Sequence, residues 1–262
     1  MEKIKKILSE SFDDPVKYLN YLEEIGFLKP EEAFCLFGDD GPVSVLFAKK
    51  YPINIGKERF TADYIFYAAT DEAHRHKGAM SALIRTTLSS LKTRGGDFAV
   101  VIPANEALFG FYSEFGFKTA FFCESKEYFS ETADREISVL PENEAEKFYG
   151  RYFDFYGKRE NTLFKTEEIF CQSVKENLYD AENCSVLTDG ENIAFATLGE
   201  KIILREFTGE NVKPFASSVS AKYGRPVTVR LPSEKKEKPL GMILSYGGKT
   251  DFPSLFTDNM LN

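Results

Sequence analysis

Residues 70–80, Thr-Asp-Glu-Ala-His-Arg-His-Lys-Gly-Ala-Met, hold both histidines of the 262-residue chain, His74 and His76. Arg75 and Lys77 alternate with them, and Gly78 follows. These residue types fit three chemistries. Histidines at i and i+2 share one side of an extended strand, as a metal pair would, but no third ligand is nearby. The four cysteines, Cys35, Cys123, Cys171 and Cys184, form no CxxC pattern and read as reduced thiols, so no metal is expected. A basic cluster ahead of a helix is also an ordinary charged turn. The third reading is an anion site. The first N–H groups of a helix lack internal partners and carry positive partial charge. Gly78 would allow close backbone approach, and Arg75 and Lys77 would add charge. A second constellation lies downstream: Asn105 and Tyr112 stand seven positions apart in Asn-Glu-Ala-Leu-Phe-Gly-Phe-Tyr-Ser-Glu-Phe-Gly-Phe. Asn105 suits a helix cap, and Tyr112 is either a core aromatic or a proton donor.

The flanking patterns supply the elements that must hold these residues. Residues 63–70 are aromatic and β-rich, which predicts a strand. From Gly78, Met80, Leu83, Ile84, Thr87, Leu88 and Leu91 form one helical stripe that Gly95-Gly96 ends, predicting a helix over 78–94. The apolar run 97–104 predicts a strand buried on both faces. A short helix over 105–117 and a strand over 118–129 follow.

This order carries a resemblance. Ala-Thr-Asp-Glu-Ala-His-Arg-His-Lys-Gly-Ala-Met-Ser-Ala-Leu-Ile resembles the acetyl-CoA signature of the GNAT superfamily of N-acetyltransferases, a strand, then Arg/Gln-x-x-Gly-x-Gly/Ala, then an amphipathic helix. Arg75 to Ala79 fit, whereas Met80 replaces the usual Gly or Ala. Met80 and the basic run before Gly78 are similar to the enhanced-intracellular-survival type, whose members acetylate amines through tandem GNAT domains. The Asn105–Tyr112 segment resembles the family's Asn-x-x-x-x-x-x-Tyr helix with its closing Gly-Phe. The resemblance covers residues 25–130 well and extends beyond them only by element order.

What the resemblance implies is concrete. The fold would be α+β, an acyl-CoA N-acyltransferase fold with a mixed, mostly antiparallel sheet flanked by helices. Backbone groups of Ala68, Ala69 and Thr70 would pair with the pantetheine arm of acetyl-CoA, the co-substrate. Arg75, His76, Lys77, Gly78, Ala79 and Met80 would wrap its pyrophosphate, Asn105 would bond the pantetheine, and Tyr112 would protonate the leaving sulfur. The acceptor would be a primary amine of a small molecule or peptide. The general base is not legible: Asp63, Asp71 and Glu72 are near, and none has a clear claim. Related tandem enzymes can use a C-terminal carboxylate of a sterol-carrier-like domain that this chain is expected to lack. Its tail, Phe-Pro-Ser-Leu-Phe-Thr-Asp-Asn-Met-Leu-Asn, is another candidate. The competing expectations are a catalytically silent CoA-binding protein and a phosphate-ligand module of another family.

The rest of the chain bounds these readings. Near residues 130–136 the pattern restarts, predicting domains over 1–130 and 131–262. In the second, helices are expected over 141–157, 166–180 and 211–224, with strands around them. Its strand–loop–helix, Lys201 to Phe215, has no Arg-x-x-Gly and a single glycine, Gly209, so a degenerate GNAT-like domain without acetyl-CoA is expected. Tyr149, Tyr152, Phe155 and Tyr156 read as core and interface. A net charge of −8 argues against nucleic acid, which needs a basic face. No apolar run reaches the ~18–20 residues of a membrane span. A cytoplasmic protein is expected, and homo-oligomer formation is left open.

Overall fold

The computed structural model describes residues 1–249 and 251–257. Helices α1 (Glu2–Phe12) and α2 (Val16–Glu24) open the chain, followed by β1 (Ala33–Gly38), β2 (Gly41–Ile55) and β3 (Glu58–Thr70). Then come α3 (Ala79–Thr93), β4 (Phe98–Val101), α4 (Glu106–Ser113), β5 (Lys118–Tyr128) and β6 (Ser138–Val139). Next are α5 (Ala145–Tyr152), β7 (Thr162–Leu163), α6 (Glu167–Tyr179), β8 (Cys184–Thr188), β9 (Ile193–Leu198) and β10 (Ile202–Thr208). Helix α7 (Val212–Tyr223) and strands β11 (Val227–Pro232), β12 (Pro239–Ser245) and β13 (Phe256–Thr257) complete the order.

The chain divides into two compact units. Unit one comprises Met1–Pro52, Phe60–Ala120 and Gly241–Phe252; unit two comprises Ile53–Arg59, Phe121–Leu240 and the stretch from Pro253 on. The division is therefore not one cut at residue 130. Strand β12 returns to pair antiparallel with β4, Met242 opposite Val101, and so brings Gly241–Phe252 back to unit one. Strand β5 pairs antiparallel with β11, Val227 opposite Tyr128, which draws residues from Phe121 into unit two.

Unit one carries the strand order β1-β2-β3-β4-β12. Strands β3 and β4 run parallel, Ala62 to Ile65 opposite Phe98 to Val101, and α3 makes the crossover between them. A parallel pair needs such a long connection. The apolar stripe of α3 packs onto the sheet: Leu83, Ile84 and Leu91 share a core with Ile65, Val101 and Phe117. Unit two repeats the scheme, with order β5-β11-β10-β9-β8-β6. Its one parallel pair in this run is β10 with β11, Ile202 to Leu204 opposite Val227 to Val229, with α7 as crossover. The expected helix over 141–157 breaks into a 3₁₀ turn, α5 and a π-helical turn at Phe153–Gly157. Strand β3 runs longer than the predicted 63–70 and is joined to β2 by a turn at Gly56-Lys57. Pro52 inside β2 and the polar run after it hide that hairpin from a pattern reading.

Candidate functional site

The site of unit one begins with a kink. Pairing of β3 to β4 ends at Ile65. Two residues on, Tyr67 takes a left-handed backbone with φ 49°. Such a conformation costs a non-glycine residue about 1–2 kcal/mol and breaks the ladder. The far end of β3 nevertheless stays anchored to β2, because Asp71 N–H donates to the Val43 carbonyl at 2.9 Å. The Ser44 and Thr70 hydroxyls lie 2.8 Å apart. Ala68, Ala69 and Thr70 thus follow the last residue of β3 that pairs with β4. Both edges of a strand carry backbone donors and acceptors, so this stretch offers them to a ligand laid alongside.

The loop beyond Thr70 feeds α3. His76 has φ 60° and Gly78 has φ 78°, left-handed turns that gather successive N–H groups into a concavity. Gly78 is the N-cap of α3 and supplies no side-chain cap. The first intrahelical bond runs from Ala82 N–H to the Gly78 carbonyl at 3.0 Å, so the N–H groups of Ala79, Met80 and Ser81 have no intrahelical acceptor. Such an end can take an anion.

The charged side chains of the loop bond back to the loop and to α1. Arg75 folds back, its Nε donating to the Thr70 carbonyl at 3.0 Å and its Nη2 to Ser11 Oγ at 3.3 Å. Lys77 Nζ donates to the Ala73 carbonyl at 2.8 Å. Both cations thus tie down backbone carbonyls on either side of the turn. His74 Nδ1 lies 2.8 Å from Asp71 Oδ1, a pair within the turn. That hydrogen bond holds the Asp71 carboxyl below the usual carboxylate range. Among the described residues, no group of three or more His, Cys, Asp or Glu comes together as a metal site.

Helix α4 places the second constellation. Asn105 Oδ1 accepts from Leu108 N–H at 3.2 Å and caps the helix, which leaves its amide donors outward. Tyr112 is 6% exposed in the core formed with α3, and its ring meets Phe111 and Phe117 edge-on at 5.3 and 5.8 Å. Burial pushes its phenol up to about 12, so the group keeps its proton at neutral pH. This is the form a proton donor needs.

Of the acids near the loop, Asp71 caps the 3₁₀ turn after β3 through Ala73 N–H. Asp63 lies back along β3 at 1% exposure, opposite Ala99, roughly 16 Å of strand from Ala68 at ~3.3 Å per residue. Burial raises its carboxyl, against the pull of Lys50 Nζ at 3.8 Å. The structure brings forward a carboxylate that sequence reasoning missed. Asp14, in the turn between α1 and α2, accepts a 2.8 Å hydrogen bond from the hydroxyl of Tyr67, the kink residue. Burial raises its carboxyl, and the Tyr67 bond partly offsets that. Phe12 stacks edge-on over Tyr67 at 5.1 Å and, like Val16, is 44% exposed. The signal in the sequence is Phe-Asp-Asp-Pro-Val, two acids in a proline turn between exposed apolar residues.

Unit two contains the counterpart with its openings filled. Glu206 is left-handed, φ 53°, again two residues past the last parallel pair, Leu204 with Val229. Its carboxylate holds the buried Lys165 ammonium at 2.5 Å. The cavity beside Glu206, lined also by Cys123, Tyr156 and Arg230, has only about 10 Å³. Helix α7 is capped by its own Asn211, whose Oδ1 accepts from Lys213 N–H at 3.3 Å. All four cysteines are free. No described helix is long and apolar enough to cross a membrane. The last five residues of the tail lie outside the described residues.

Residues 1–120 match the family model of the acetyltransferase (GNAT) domain. A search of curated proteins gives no match. Among solved structures, a probable N-acyltransferase from Enterococcus faecalis superposes with a TM-score of 0.73 at 11% identity, over 95% of this chain and 71% of its own. A GCN5-related N-acetyltransferase from Anabaena variabilis gives 0.71 at 16% identity, over 94% and 70%. Eis1 from Mycobacterium abscessus gives 0.63 at 9%, over 94% and 71%. At these identities the likeness establishes the fold, that of the GNAT N-acyltransferases.

Proposed function

From an acetyltransferase (GNAT) domain over residues 1–120, we propose that this protein is an acetyl-CoA-dependent N-acetyltransferase acting on a primary amine. The observation that carries the proposal is the left-handed kink at Tyr67, which ends the β3–β4 ladder ahead of an uncapped helix N-terminus.

In this reading Ala68, Ala69 and Thr70 pair with the pantetheine arm through their backbone, and Asn105 bonds it from the capped end of α4. The N–H groups from His76 to Met80 take the pyrophosphate. Arg75 and Lys77 hold that loop in shape and add positive charge behind it. An N–H near Ala68 faces the thioester oxygen and stabilises the oxyanion. The acceptor enters beside Phe12, Asp13 and Asp14. An ammonium is no nucleophile, and the Asp14 carboxylate, held by Tyr67, takes its proton. The amine nitrogen then bonds to the thioester carbon, the C–S bond breaks as the sulfur takes the Tyr112 proton, and the second proton of the nitrogen returns to the Tyr112 phenolate as the amide forms. The products are an acetamide and CoA thiol. Met80 in place of a smaller residue narrows the mouth of the phosphate loop without removing an N–H group.

Unit two serves as a degenerate GNAT-like partner that takes no acetyl-CoA. Its helix N-terminus is already capped by Asn211, and its cleft is filled by Lys165 and Glu206. Calorimetry with CoA tests both statements, with one site per chain expected. Thiol release from acetyl-CoA across a panel of amines tests the activity. CoA binding with no thiol release for any amine would leave a silent CoA-binding protein. Absence of both binding and release would refute the reading.

A further inference from the structure

Unit two has a second feature that acetyl transfer does not use. A cleft of about 560 Å³ lies between the β2–β3 turn and the turn after the π-helical segment, lined by Asn54, Gly56, Lys57, Arg59 and residues 157–160. That volume is in the range of small-ligand sites. Its charge is opposite to that of the chain. The protein carries −8, yet Lys57, Arg59, Lys158 and Arg159 meet here against one lining carboxylate, Glu160.

The frame is rigid and internally bonded. Asn54, 7% exposed, is its hub. Its Nδ2 donates to the Gly157 carbonyl at 3.1 Å and the Arg159 carbonyl at 2.8 Å, and its Oδ1 accepts from Arg59 Nε at 3.1 Å. Gly56 N–H donates to Asn161 Oδ1 at 2.9 Å, closing the other side. Arg59 Nη2 adds a 2.7 Å bond to the Gly157 carbonyl, and its guanidinium lies over Phe164 and Phe153 at 5.0 and 5.6 Å. The Arg159 guanidinium lies over Phe256 at 3.8 Å. Stacking fixes the plane of each guanidinium and leaves hydrogen-bonding edges for a ligand.

Neither arginine has a carboxylate partner among the described residues, nor does Lys57; only Lys158 is paired, with Asp154 at 2.6 Å. Three uncompensated cations on a fixed frame repel one another, and an anion relieves that repulsion. A planar donor fork recognises phosphate or carboxylate oxygens in pairs. Three converging charges favour a ligand with more than one negative charge. We propose that this cleft binds a small phosphate-bearing polyanion, independently of the acetyl-transfer site.

The test is calorimetry with inorganic pyrophosphate on the full chain, with citrate as the carboxylate comparator. Both titrations are repeated on the Gly78→Val chain, which strains the loop of unit one at its left-handed position, and the binding assigned to the cleft is the part that Gly78→Val leaves intact. Binding of pyrophosphate is expected, tighter than citrate and weakened at least tenfold by Arg159→Gln. Lys57→Gln, a change at an exposed side chain with no bonding role in the frame, is expected to weaken it severalfold without changing thermal unfolding. Any of three outcomes overturns the proposal: no pyrophosphate binding at millimolar concentration, tighter binding of citrate, or binding unaffected by either substitution.

Discussion

Replacing Tyr112 by Phe removes one oxygen from the core of unit one. The ring keeps its edge-on contacts with Phe111 and Phe117, and no hydrogen bond of the described residues is lost with the hydroxyl. Thermal unfolding should therefore move by no more than about 2 °C, well under the shift ~1 kcal/mol produces in a domain of this size. The effect on turnover follows from the acidity of the phenol. Burial holds it at about 12, whereas a free thiol ionises near 8.5. Complete proton transfer to a free thiolate is thus uphill by roughly 3.5 units, or about 5 kcal/mol. The phenol helps only while the C–S bond is breaking and the sulfur is more basic than in free CoA. The loss should sit at the low end of general-acid effects, roughly 10²-fold in kcat or about 2.7 kcal/mol, with KM for acetyl-CoA nearly unchanged. Steady-state thiol release measures both constants. Because Tyr112 keeps its proton, it should contribute no falling limb to the pH–rate profile below pH 10 or so. Unaltered kcat in the Phe variant would remove Tyr112 from the mechanism. A falling limb near pH 8 that the variant abolishes would contradict the buried, neutral phenol.

Gly78→Val places a β-branched residue at φ 78°, where the backbone alone costs about 1–3 kcal/mol, and its Cβ enters open space at the helix mouth. KM for acetyl-CoA should rise at least tenfold in a chain that still unfolds cooperatively. Asp14→Asn should lower kcat/KM for amines by roughly 10²-fold, read at saturating acetyl-CoA, while CoA affinity by calorimetry stays within about twofold. In the wild type, burial raises the Asp14 carboxyl, so activity should fall with acid at a higher pH than an exposed aspartate would set, and the Asn variant should lack that limb. Asp63→Asn tests the buried acid of β3. Its folded carboxyl is raised, so the stability it contributes is full below its unfolded value near 3.8 and is lost as pH rises through the folded value. The Asn variant should therefore gain in melting temperature relative to wild type between pH 4 and pH 7 or so; a relative loss over that range would refute the sign.

Much of unit one was legible because its elements are strongly periodic. The stripe of α3, the Gly95 stop, the continuous apolar β4 and the Asn105 cap each state their element locally. The kink at Tyr67 was not legible, since nothing in Phe-Tyr-Ala-Ala marks a left-handed residue without glycine or asparagine. The direction of the Arg75 side chain was not legible for a related reason: it is set by the Thr70 carbonyl and by Ser11, distant in sequence. Asp14 escaped because its role depends on a hydroxyl 53 residues away. The return of β12 to unit one is likewise a long-range pairing, which no local pattern announces.

Glu206 carries the same backbone defect as Tyr67. A left-handed glutamate in a strand is a costly conformation, and it stands at the same step past the parallel pair as Tyr67. Shared topology together with a shared backbone defect points to ancestry by duplication, because independent folding solutions have no reason to repeat a strained residue. If unit two descends from a cofactor-binding unit, as we propose, Lys165 and Asn211 are later tenants of its vacated groove. On that proposal unit two is a dormant scaffold, and exchanging those few side chains for small ones is a short evolutionary path from one active centre to two.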